Sequence, residues 1–198
     1  EQTGLEQRQS ILQAIGDELM ERSAELGELL SREEGKPLTE GKGEVYRAGQ
    51  FFTYFAAEVL RQIGDMADSV RSGIEVHVQR EPVGVVGIIS PWNFPVATAA
   101  WKIAPALAFG NAVIWKPANL VPASAVAVTE IISRHSDKGM PKGLFNLVMG
   151  TGSYIGQQLI ESSTLDAISF TGSVDVGKKI AASAISNLTK LQMEMGSK

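Results

Sequence analysis

The chain has 198 residues, 44% of them apolar and 20% charged, with a formal net charge of −4 and no cysteine. That length suits one domain with a real core and a small appendage, and the mild acidity leaves no electrostatic footprint for nucleic acid. The lack of cysteine excludes disulfides, thiolate zinc sites and cysteine nucleophiles within these residues; no run is apolar enough to span a membrane, no signal peptide opens the chain, and a cytoplasmic location is the default.

The first residues, Glu1-Gln2-Thr3-Gly4, read like the inside of a larger protein. Residues 5–31 predict a helix, because Ile11, Leu12, Ile15, Leu19, Leu26, Leu29 and Leu30 recur mostly at three- and four-residue spacing. Gly35-Lys36-Pro37 interrupts the pattern. A second helix is predicted over 39–63, whose aromatics Phe51, Phe52, Tyr54 and Phe55 read as core packing rather than a ligand box. Residues 74–80 alternate apolar and polar, as a half-exposed strand does, with His77 on the polar side. Neither His77 nor His135 reads as a ligand, and no metal site is expected.

From residue 83 apolar runs alternate with amphipathic stretches. Strands are predicted at 83–90, 112–116, 145–149, 167–170 and 190–195, with helices at 96–109, 122–134, 154–161 and 174–186 between them. Pro122 suits the first position of its helix. Repeated βαβ units imply an α/β fold: a Rossmann-like parallel sheet with helices on both faces and ligands at the carboxyl ends of its strands. Residues 83–198 would form that core, 1–66 N-terminal helices, and 67–82 a bridging or oligomerisation strand.

The strand ends carry the candidate chemistry. Ser90-Pro91-Trp92-Asn93-Phe94-Pro95 is a loop stiffened by two prolines. An amide held there, that of Asn93, either stabilises a developing oxyanion or caps the next helix. Lys116 after the second strand suits a cofactor hydroxyl or phosphate, or is simply solvated. Gly150-Thr151-Gly152-Ser153-Tyr154-Ile155-Gly156 is one residue longer than the G-x-G-x-x-G pattern and is weak evidence alone. Gly172-Ser173 opens a helix whose N-terminus would favour a diphosphate, or Ser173 is a plain cap. Glu194 in the last apolar strand reads either as a partly buried general base or as an ion-paired structural residue.

Five motifs in this order resemble the aldehyde dehydrogenase family: Pro91-Trp92-Asn93-Phe94-Pro95, Lys102-Ile103-Ala104-Pro105-Ala106-Leu107-Ala108, Trp115-Lys116-Pro117-Ala118, Phe170-Thr171-Gly172-Ser173 and Glu194-Met195-Gly196. The resemblance runs from about residue 5 to the end and implies an incomplete NAD(P)-binding domain, with the catalytic domain absent from these 198 residues. It also implies roles. Asn93 would hold the thiohemiacetal oxyanion, Trp92 would line the nicotinamide site, and Lys116 would bind the adenosine ribose. Gly152 would line the adenine pocket with Gly156 close by. Gly172 and Ser173 would meet the diphosphate, Gly177 would let its helix pack closely, and Glu194 would activate the deacylating water. Lys102 matches a family lysine near the site.

Three departures stand out. The family's cysteine nucleophile lies beyond Lys198. Ser197 stands where a second glycine is usual. Asn119 replaces a frequent glutamate that repels a 2′-phosphate, so NADP should be tolerated or preferred beside NAD. The runs at 192–196 and 119–122 resemble members acting on sugar-acid-derived semialdehydes such as 2-oxoglutarate semialdehyde. The resemblance further implies an aldehyde partner and a homo-dimer or homo-tetramer, with these 198 residues inactive alone. The rivals are a non-catalytic nucleotide-binding fragment, a structural family member, or an acylating dehydrogenase using coenzyme A, against which Glu194 argues.

Overall fold

The computed structural model describes residues 3–61 and 63–196. Its first helices are α1 (Leu5–Glu21), α2 (Ser23–Glu34) and α3 (Leu38–Val59). The expected single helix over 5–31 is therefore two, broken at Arg22, whose backbone leaves the helical region at φ −89°, ψ 12°. No glycine or proline forces that break. It lets both segments lie on α3, which α1 approaches where Gly16 meets Gly49 and α2 where Gly27 meets Gly41. Tertiary packing overrides local continuity here. Gly35 ends α2 in the left-handed conformation, φ 92°, as a helix-terminating glycine does.

Strands β1 (Asp65–Asp68) and β2 (Glu75–Val78) form an antiparallel hairpin. β1 was not anticipated, because Asp65-Met66-Ala67-Asp68 lacks β-branched residues. The second predicted helix stops at Val59 rather than 63. The alternation at 74–80 suggested one buried side, but every residue of both hairpin strands is exposed, since no other described element covers either face.

The remainder alternates as expected: β3 (Val85–Ile89), α4 (Pro95–Ala108), β4 (Ala112–Lys116), α5 (Pro122–Ser136), β5 (Phe145–Leu147), α6 (Gln157–Glu161), β6 (Ala167–Gly172), α7 (Val174–Asn187) and β7 (Lys190–Met195). A π-helical turn at Gly152–Gly156 precedes α6, where a regular helix from 154 was expected. The five core strands form one parallel sheet in the order β5-β4-β3-β6-β7. The chain runs outward from β3 to β5, then returns to add β6 on the other side of β3. Such a reversal opens a crevice at the carboxyl ends of the two central strands.

Strand alternation divides the core between two faces. Val86 and Ile88 of β3 pack with Val113 and Trp115 of β4 against α1, α3, α4 and α5. Val85, Ile89 and Ile114 face the smaller cluster of Leu159, Ile160, Phe170 and Ile180. The Asn111 side chain ties the start of β3 to the end of α4: its oxygen accepts from the Val83 and Gly84 amides and its nitrogen donates to the Ala106 carbonyl.

Candidate functional site

The loop from Ser90 to Phe94 leaves the central strand β3. Its first residue is buried, and Ser90 Oγ accepts a hydrogen bond from Trp115 Nε1 at 2.9 Å. Trp92, Asn93 and Phe94 are exposed. Phe94 occupies the cap position of α4 without capping it through its side chain. The capping acceptor comes instead from α3: Glu44 Oε1 accepts from the amides of Val96 and Ala97 at 2.9 and 3.0 Å. Glu44 also pairs with Lys36. The Lys36 ammonium reaches Glu34 at 2.9 Å, donates to the Asn93 carbonyl at 2.9 Å, and lies 4.3 Å from the centre of the Phe94 ring. Burial alone would lower the Lys36 pKa, but the hydrogen bonds to Glu44 and Glu34 carry it above the ordinary lysine value.

The loop is thus clamped through its backbone. The Asn93 side chain makes no hydrogen bond among the described residues and does not cap α4, so its amide stays available. Lys36 and Glu44 carried no sequence signal as site residues: one sits in a helix break, the other inside a charged helical stretch.

On β7, Glu194 has its side chain 42% exposed. Its carboxylate accepts from Thr171 Oγ1 at 3.3 Å and from Gln192 Nε2 at 3.0 Å, and pairs with Lys102 at 3.4 Å. Lys102 projects from α4 and is buried; its ammonium also donates to Ser169 Oγ and Gln192 Oε1, both at 3.0 Å. Burial pushes the Lys102 pKa down, against the pull of Glu194. Glu194 is therefore ion-paired and at the same time open to a cleft. That cleft, about 900 Å³, is walled by Phe51, Tyr54 and Phe55 of α3 and Trp101 of α4.

A separate groove of about 330 Å³ joins three of the expected cofactor residues, Lys116, Gly152 and Gly156, to Val176, Lys179 and Ile180 of α7. Lys116 is buried and its ammonium donates to the Pro117 carbonyl at 2.9 Å. Burial pushes its pKa down. Its remaining donors have no partner among the described residues. A Cβ on Gly152 would meet nothing within 4 Å, and one on Gly156 would lie 3.6 Å from Lys116 Cε. Neither position needs glycine for space. Gly150, the first glycine of the same motif, does, at φ 151° with Ile155 Cγ1 2.3 Å from a built Cβ.

Gly172 and Ser173 form the β6–α7 turn. Gly172 backs onto the Phe170 ring, 2.6 Å from a built Cβ. The Ser173 hydroxyl accepts from the Val176 amide at 3.4 Å, so it caps α7. Gly177 lies where α7 crosses β7, with Met195 Sδ 2.2 Å from a built Cβ. Trp92, 53% exposed, and Asn119, in an exposed turn after β4, line neither cavity. Ser197 lies outside the described residues. Among the described residues no group of three His, Cys, Asp or Glu side chains could hold a metal, and no helix is long and apolar enough to cross a membrane.

The model of the aldehyde dehydrogenase family matches residues 1–198. The chain is 43% identical over 196 residues to alpha-ketoglutaric semialdehyde dehydrogenase of Bacillus subtilis, covering 99% of this chain and 39% of that protein. It is 41% identical to the mitochondrial succinate-semialdehyde dehydrogenase of Arabidopsis thaliana, covering 96% and 35%. A crystal structure of a betaine aldehyde dehydrogenase point mutant from Staphylococcus aureus, in complex with NAD+, superposes with a TM-score of 0.93 at 36% identity, covering 98% of this chain and 38% of that one. The chain thus spans about two fifths of the length of the proteins it matches.

Proposed function

The chain belongs to the aldehyde dehydrogenase family, and from that premise we propose that it is the cofactor-binding part of an enzyme oxidising an aldehyde to a carboxylic acid with NAD(P)+. The observation that carries the proposal is Glu194, a carboxylate fixed by Lys102 and Thr171 yet open to an aromatic-walled cleft.

The groove around Lys116 suits a dinucleotide. Its buried lysine keeps free donors, Gly152 leaves open surface, and Ile89, Ile160 and Ile180 give an apolar wall. Lys116 would hold the ribose hydroxyls, the Gly152–Gly156 turn would flank the adenine, and the α7 N-terminus after Gly172-Ser173 would face the diphosphate. Trp92 would line the nicotinamide. Bound there, the cofactor supplies the hydride acceptor. Asn119 is neutral, so a 2′-phosphate meets no carboxylate at that position, which favours acceptance of NADP.

A cysteine thiolate from further chain attacks the aldehyde carbon, and the Asn93 amide donates to the oxygen that becomes negative. After hydride loss leaves a thioester, Glu194 takes a proton from the attacking water and frees the acid and the thiol. Lys102 holds the carboxylate in place. Two of the named relatives, the semialdehyde dehydrogenases of Bacillus subtilis and Arabidopsis thaliana, support a substrate class: a semialdehyde that itself carries a carboxylate. The exposed hairpin β1–β2, with Met66, Val76 and Val78 uncovered, would bridge to a second subunit in a dimer or tetramer.

The test is turnover by the full-length protein with NAD+ and NADP+ in turn, read as the absorbance of reduced nicotinamide. Aldehyde-dependent reduction is expected with both, and Asn93→Ala should lower kcat about 10²–10³-fold, as loss of one oxyanion donor does. Glu194→Gln should leave a burst of one turnover followed by slow deacylation. The isolated 198-residue chain should bind nucleotide and oxidise nothing. No reduction by the full-length wild type would overturn the reading, and a strong preference for NAD+ would overturn the role given to Asn119.

A further inference from the structure

Among the described residues, three cations approach the aromatic cleft and a neighbouring cavity. Two are engaged: Lys36 by Glu34, Glu44 and the Asn93 carbonyl, and Lys102 by Ser169, Gln192 and Glu194. The third is Arg47, exposed on α3, with neither an ion pair nor a hydrogen bond among the described residues.

Its position is specific. Arg47, Phe51 and Tyr54 recur at helical spacing on one face of α3, the face that lines the cleft to which Glu194 opens. Arg47 also lines a second cavity, of about 530 Å³, shared with Phe94 of the Asn93 loop. It therefore stands where the two spaces adjoin, beside the edge-to-face pair of Phe51 and Trp101, whose ring centres are 5.7 Å apart at 83°. The carboxylates nearby do not neutralise it. Glu44 is held by Lys36 and two amides, and Glu194 by Lys102. Glu40, two helical turns before it, forms no ion pair among the described residues.

We propose that Arg47 is the specificity-determining residue that binds the terminal carboxylate of the aldehyde substrate, at the opposite end from the reacting carbonyl; this rests on the dehydrogenase reading above. A guanidinium is charged at every working pH and offers paired N–H groups that match a carboxylate in two parallel bonds. The same charge repels an aldehyde with a cationic tail, so selection against such substrates comes from the same side chain.

The experiment compares succinate semialdehyde with butanal in the full-length enzyme; the two share a four-carbon chain and differ in the terminal carboxylate. Arg47→Met should raise KM for succinate semialdehyde about ten- to a hundredfold, the range of one lost charge-assisted pair, with kcat nearly unchanged. Turnover of butanal should not fall, which also shows that the variant folds. Arg47→Lys should recover part of the loss. Equal effects on the two aldehydes, or none, would overturn the proposal and leave the dehydrogenase reading standing. If the wild type oxidised neither, that reading would fall, and calorimetry with succinate would decide on Arg47. Binding that weakens about tenfold in Arg47→Met upholds it, whereas equal binding or none overturns it.

Discussion

At the scale of single residues, the clamp of Lys36 and Glu44 decides where Asn93 stands. Both side chains are almost wholly buried, 6% and 1% exposed. Removing one partner strands the other without water, so Lys36→Met should destabilise the protein by about 3 kcal/mol, measured by chemical denaturation. Glu44→Gln should be milder, because the amide oxygen still accepts from Val96 and Ala97. The sign of the pH dependence follows from the raised Lys36 pKa. Its contribution is complete below the unfolded lysine value of about 10.4 and is lost as pH climbs through the higher folded value. The Tm gap between wild type and Lys36→Met should therefore hold constant from neutrality to about pH 10 and close only above it.

These residues also show what the sequence could not disclose. Asn93, Lys116, Gly172 and Glu194 stand out as candidates because βαβ alternation places strand ends at one edge of a sheet, so local pattern locates them. Lys36 and Glu44 act on partners 57 and 52 residues away, and nothing in their own neighbourhoods marks that distance. Arg47 was illegible for a similar reason: its value comes from Trp101 and Glu194, which other elements bring to it. For Asn93 the structure narrows an open choice, since Glu44 takes over the capping. Glu194 has an ion pair on one side and an open cleft on the other.

At the scale of elements, the helices were legible as helices but not in their junctions. Apolar periodicity is blind to the break at Arg22, because the buried stripe continues through it from Leu19 to Leu26. What positions α1 and α2 is backbone contact through glycine. A Cβ on Gly49 would come within 2.6 Å of the Gly16 carbonyl and 2.5 Å of Met20 Cγ. Gly49→Ala should cost about 1–3 kcal/mol through overpacking, more than offsetting the roughly 1 kcal/mol gained in helix propensity. Gly43→Ala, on the same helix with nothing within 4 Å of its Cβ, should instead stabilise by up to about 1 kcal/mol. Opposite signs in one denaturation series would check the packing account, and equal signs would contradict it.

At the scale of the whole molecule, the parallel sheet covered on both faces followed from the alternation of strands and amphipathic helices. The hairpin β1–β2 did not, because Asp65-Met66-Ala67-Asp68 has no β-branched or aromatic residue to signal a strand. The strand order matters in another way, as a sequence of events. Val83 and Gly84 are joined to Asn111 across 28 and 27 residues, whereas Val85 is joined to Asp166 across 81. Closing the longer loop costs about 1 kcal/mol more in chain entropy. During folding the β3–β4–β5 half should therefore form first and the β3–β6 seam zip up late. The groove proposed for the nucleotide draws its walls from both halves, so it is complete only after that late step. A ligand bound across it stabilises contacts missing from the transition state. In stopped-flow measurements on the folded protein, NAD+ should slow unfolding in proportion to its binding energy and leave the refolding rate unchanged. In a growing polypeptide, the crevice proposed for the nucleotide stays open until the residues of β6 have been made.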